Sequence, residues 1–171
     1  MMVTNPMTSM NNPERPTSSL ILILNVIALA GTIKIIVIIG DVFAALPNQI
    51  PIHYSINGNA DRYGSKLLFW ILPMIAAAVF TTLSLAQRNP KNLRFPVVVT
   101  TQNVYRQLYN IRLMFCFIKL YAVTIMLFLT VQTIKNAYRA DPTLSPWFLP
   151  GSLAAMIVII SIFIHRSYRL K

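Results

Sequence analysis

The chain has one cysteine, two histidines, five glycines and four carboxylate side chains in 171 residues. A single cysteine, Cys116, leaves no partner for a disulfide within the chain, and a free buried thiol is expected. There is no His/Cys spacing suited to a metal, no paired carboxylates, no Ser–His–Asp order and no glycine-rich phosphate loop. These absences argue against an enzyme, and no cofactor or metal is expected. Charge is also scarce: 11% of residues are charged, against about 25% in an ordinary soluble domain. At 56% hydrophobic, a soluble fold of this size has too little interior to hide its apolar surface.

What is abundant is long apolar sequence. Four runs, about Leu20 to Ala45, Leu67 to Ala86, Leu113 to Ile134 and Trp147 to Ile164, are each of the length needed to cross a bilayer. The expected fold class is all-α: a polytopic membrane protein with four transmembrane helices, an ordered extracytoplasmic loop and a short cytoplasmic amphipathic helix. Ala28-Leu29-Ala30 resembles a signal-peptidase site. A long preceding region and too short a remainder favour an uncleaved anchor instead. The expected organisation is a disordered tail over 1–19, a two-span unit over 20–86, a basic loop over 87–112, and two further spans with a basic tail over 113–171.

Orientation follows from the excess of Lys and Arg on cytoplasmic loops. Arg15, Arg88, Lys91, Arg94, Arg106, Arg112, Arg166, Arg169 and Lys171 fall on one side, and Arg62, Lys66, Lys135 and Arg139 on the other. Both termini and the 87–112 loop are therefore expected on the cytoplasmic side of the membrane. The net charge of +11 reads as topology and attraction to anionic headgroups. No nucleic-acid partner is expected, because no basic soluble domain exists to present that charge.

Residues 46–66, "LPNQIPIHYSINGNADRYGSK", form the polar loop between the first two runs. Leu46-Pro47 should end the first helix, since a residue before proline is pushed out of the α region. Ile50, Ile52, Tyr54 and Ile56 alternate as one buried face of a strand would. Asn57-Gly58 supplies a turn, and Ser65 is placed to cap the second span, with Lys66 at the membrane boundary. His53 and Asp61 have two readings: a polar pair that binds a peptide, a cation or a lipid headgroup, or side chains that only fix the loop. His165 falls on the opposite side. In the 87–112 loop, Asn89-Pro90 marks a turn. Val104, Leu108 and Ile111 recur at helical spacing, with Arg106, Gln107 and Asn110 away from that stripe. Trp147 and Tyr168 suit interfacial anchoring.

Within the spans, Lys119 lies near enough to the inner end to snorkel to the headgroups. Lys34 sits deeper, where its outward path runs against the lean of a helical side chain, so it is expected to face the bundle interior. Asp41 lies two turns away on the same face, too far for direct contact. Pro73 is expected to kink the second span.

Leu46-Pro47, Ile50-Pro51, His53, Gly58, Asp61, Gly64 and Lys66 resemble the signature of the domain of unknown function at the start of SdpI-type bacterial immunity proteins. Asn92 to Arg112, with Phe95-Pro96-Val97 and Thr101-Gln102-Asn103, resembles the short four-span members. Gln102 and Val104 stand where those members carry acids, so no acidic role carries over there. The resemblance implies immunity to, or sensing of, a membrane-active peptide, with a peptide or protein partner met by the loop. The alternative is a structural or accessory subunit that packs against a transporter or other membrane complex.

Overall fold

A computed structural model describes residues 18–89 and 93–171. The tail expected over 1–19 and the Asn89-Pro90 turn lie largely outside the described residues. Four helices are long and apolar enough to cross a membrane. The first, α1 (Ser19–Val42), has 24 residues, about 36 Å at 1.5 Å per residue, which exceeds the roughly 30 Å hydrocarbon core. After Val42 the chain turns, with Ala45 and Leu46 donating to the Val42 carbonyl.

A two-stranded antiparallel sheet follows, β1 (Gln49–Tyr54) and β2 (Ala60–Ser65). The strand expected from Ile50 onward is present, but its clean alternation is not. The register slips between Pro51 and His53 and again before Tyr54. A bulge of this kind breaks the two-residue period, so Ile50 and Pro51 are both buried while Ile52 is exposed. Ile56, expected on the buried face, lies in the turn and is 88% exposed. The small sheet is an addition to an otherwise helical fold.

Ser65 accepts from the Leu67 amide at 3.3 Å and starts a 3-10 turn over Lys66–Trp70. That turn leads into α2 (Ile71–Arg88). Pro73 is the third residue of α2 and the eighth of the continuous helical span Lys66–Arg88, so its missing N–H falls just after the 3-10 turn. The irregularity near it is the change from 3-10 to α geometry.

The third span is longer than its apolar run. α3 (Val104–Ala137) is one helix of 34 residues, about 51 Å, so roughly 20 Å extends beyond the hydrocarbon core. The separate amphipathic helix expected before residue 113 is instead the first two turns of α3. Its burial also differs from the expected stripe: Val104 and Leu108 are buried, but so are Gln107 and Asn110, because α4 (Phe148–Arg169) packs on that side.

α1 and α3 form the closest helix pair. A Cβ added to Gly31 would lie 2.5 Å from Val123 Cγ1, so any larger residue must displace Val123. Ile35, Ile39, Leu46, Ile50, Phe69, Ala76 and Val123 form the core at the hairpin end of the bundle. α4 joins through α3, with the Phe128 and Phe148 rings stacked at 4.8 Å and Tyr121 donating to the Ser152 carbonyl.

Candidate functional site: an ordered hairpin and an intramembrane lysine

The hairpin is fixed by its turn. Gly58 donates to the Ser55 carbonyl at 2.8 Å, and Ser55 donates to the Asn59 carbonyl at 2.8 Å. Gly58 has φ +85°, and a Cβ there would sit 1.8 Å from the Leu144 carbonyl oxygen. Both the backbone angle and the space exclude a side chain. The tip is joined to the α3–α4 connection: Leu144 donates to Gly58 at 2.7 Å, and Ala60 to Pro142 at 3.0 Å. Asn136, buried at the end of α3, donates to the Tyr54 hydroxyl at 2.8 Å and to the Thr143 carbonyl at 2.9 Å. Burial pushes the Tyr54 phenol above its ordinary pKa; the bond from Asn136 opposes this and nearby Tyr63 adds to it.

Lys66 serves this frame. Its ammonium donates to the Phe43 and Leu46 carbonyls at 3.1 and 3.0 Å and lies 5.1 Å from the centre of the Phe43 ring. These carbonyls follow the end of α1, where backbone acceptors run out of helical partners and favour a cation. Gly64 is equally structural, since a Cβ there would meet Ile52 Cδ1 at 2.7 Å.

His53 and Asp61 are brought together by the hairpin. Nδ1 of His53 and Oδ1 of Asp61 are 2.6 Å apart, with the side chains 60% and 46% exposed. Among the described residues neither side chain bonds to loop backbone, and their mutual bond links β1 to β2. The contact through Nδ1 ties the ring of His53 to Asp61 and leaves Nε2 out of that bond. Arg62 lies opposite His53 in the register, and Ile52, Ile56 and Tyr63 add exposed apolar surface. Among the described residues no group of three His, Cys, Asp or Glu side chains is placed to hold a metal.

The two intramembrane lysines exchange their expected places. Lys119 does not reach the headgroups; it is 0% exposed. Its ammonium donates to Asn25 Oδ1 at 2.6 Å on α1, and to Ser84 Oγ at 2.9 Å and Gln87 Oε1 at 2.8 Å on α2. Phe80 lies beneath it, 5.1 Å to the ring centre. All three ammonium protons are thereby used. The lean toward the start of α3 is as expected, but neighbouring helices enclose the side chain before it reaches the surface. Gln87 also donates to the Arg112 carbonyl and to Cys116 Sγ, at 2.7 and 3.3 Å, and Cys116 is a buried free thiol. Lys34, expected to face the interior, is exposed on the outer face of α1, and Asp41 is exposed on the same face.

Several polar residues in the structure carry no signal of their own in the sequence. Asn25, Ser84 and Gln87 are isolated polar residues until α1 and α2 are set against Lys119. Gln107 donates to the Ser167 and Leu170 carbonyls at 2.9 and 3.2 Å and accepts from the Ser167 hydroxyl, which closes the end of α4. Asn110 donates to the Phe163 carbonyl at 2.9 Å. Beside them, Arg94, Phe95, Met114 and Ile160 help line a cavity of about 360 Å³.

The fold defines a multi-pass membrane protein with four candidate spans and an ordered hairpin between the first two. Residues 20–77, which cover α1, the hairpin and the start of α2, match the family model described as Domain of unknown function (DUF1648). No curated protein and no solved structure matches the chain.

Proposed function

We propose that this protein is a non-enzymatic sensor or immunity protein of the bacterial cytoplasmic membrane, and that its hairpin recognises a membrane-active peptide outside the cell. The observation that carries this reading is the His53–Asp61 pair. It is exposed and hydrogen-bonded across the two strands, on a hairpin anchored by the Asn136–Tyr54 bond and by Lys66 just beyond it. Exposed Ile52, Ile56 and Tyr63 beside it offer the apolar contact an amphipathic peptide needs. The excess of Lys and Arg at the opposite end supports an outward hairpin, cytoplasmic termini and contact with anionic headgroups.

The test is a deletion strain complemented with wild type, His53→Ala or Asp61→Ala and challenged with membrane-active peptides. Loss of protection at normal protein level is expected for both variants. Full protection by both variants would remove the pair from the function.

A second reading, an accessory subunit that packs through its spans against another membrane protein, is favoured by a separate observation. Lys34 and Asp41 lie on the side of α1 turned away from the bundle.

A further inference from the structure

Along α1, Ala28, Thr32, Ile35 and Ile39 form the buried stripe. At about 100° per residue, Lys34, Val37 and Asp41 fall within roughly 60° of one another on the opposite face. All three are exposed, and neither Lys34 nor Asp41 makes a hydrogen bond or ion pair among the described residues. Their Cα atoms are seven residues apart, about 10 Å along the axis, so they do not neutralise each other.

Depth makes the lysine the harder problem. Lys34 precedes the last residue of α1, Val42, by eight positions, about 12 Å. Its side chain leans toward the start of the helix, and hence toward the middle of the bilayer rather than the nearer headgroups. Lys119 shows what this chain provides for an intramembrane ammonium: three oxygen acceptors from two other helices. Lys34 has none of these. A charge left in the hydrocarbon region is costly and is ordinarily paired within protein.

A second copy does not supply the partner. Two copies inserted the same way and related by an axis along the membrane normal would bring Lys34 against Lys34 at equal depth, a like-charge contact. Charge complementarity asks instead for an acid level with Lys34, with a basic residue about 10 Å nearer the hairpin end to meet Asp41. We propose that this face of α1 docks a transmembrane helix of a different protein, one that carries a carboxylate at the depth of Lys34. The inference rests on the accessory-subunit reading and adds the chemistry of its partner.

The experiment uses the full chain, donor-labelled and reconstituted in phosphatidylcholine vesicles with acceptor-labelled synthetic Leu/Ala transmembrane helices. These carry Glu, Gln or Lys at the depth of Lys34. Energy transfer should report at least about tenfold tighter association with the Glu helix than with the Gln helix. The difference should vanish in Lys34→Gln and persist in Lys34→Arg. Equal binding of the Glu and Gln helices would overturn the carboxylate partner while leaving the accessory reading standing. Binding of none would overturn both. Self-association abolished by Lys34→Gln would assign the face to a second copy and overturn the proposal.

Discussion

Replacing Lys119 by methionine tests how the bundle is held together. The side chain becomes one heavy atom shorter and loses three hydrogen bonds, each of them to another helix. Interhelical hydrogen bonds in membranes average about 0.6 kcal/mol and reach about 1.7, so the three together contribute about 2 to 5 kcal/mol. Against this, burying an ammonium costs several kcal/mol that methionine avoids. Methionine, however, leaves three partly buried acceptors without their donor, at up to about 1 to 3 kcal/mol each. The acceptors decide the sign, and Lys119→Met should lose about 2 kcal/mol. Adding Asn25→Leu and Ser84→Ala should recover much of that loss, because removing both sides of a buried hydrogen bond is far cheaper than removing one. Reversible unfolding in mixed detergent micelles reads both variants. A Lys119→Met protein as stable as wild type, or a triple variant weaker than the single one, would refute the reasoning.

Three further outcomes follow from the geometry. Gly58→Val should sharply lower the yield of folded protein, measured by monodisperse recovery in detergent, because a Cβ collides with the Leu144 carbonyl at a positive φ. Gly31→Ala should cost about 1 to 3 kcal/mol by overpacking, with partial rescue by Val123→Ala, the residue a new Cβ would strike; thermal unfolding of the single and double variants checks it. The Tyr54 phenol has its folded-state pKa raised, mainly by burial. Its stability contribution is therefore complete below about pH 10 and lost as pH rises through the folded value. Tyr54→Phe should flatten the fall of stability with pH above 10, measured by unfolding across that range.

The membrane class and the four spans were legible because a long apolar run has few alternatives to a bilayer helix. Turn chemistry was equally direct: Gly58 and Ser65 occupy the positions that their local preferences indicate. Patterns that depend on uninterrupted periodicity were less secure. The bulge at Pro51–His53 placed Ile52 outside, and docking of α4 buried Gln107 and Asn110. Placing a charge inside or outside the bundle needs the rotation of each helix about its own axis. For nearly uniformly apolar spans, composition holds little record of that rotation. Lys34 and Lys119 were therefore assigned by depth and side-chain lean, and the packing of neighbouring helices decided both. His53 and Asp61 stood out as the polar residues of a turn-rich loop, but their contact depends on the paired strands that bring residues eight apart together.

The central claim is that the hairpin is the protein's outward-facing surface. It is tested most directly by single cysteines in a Cys116→Ser background treated with an impermeant maleimide. Asn57→Cys reports the hairpin tip, and Thr101→Cys reports the opposite end; the nearby Asn92 lies outside the described residues. In intact cells Asn57→Cys should react and Thr101→Cys only after permeabilisation. Reaction of Thr101→Cys alone in intact cells would put the hairpin in the cytoplasm and contradict the account.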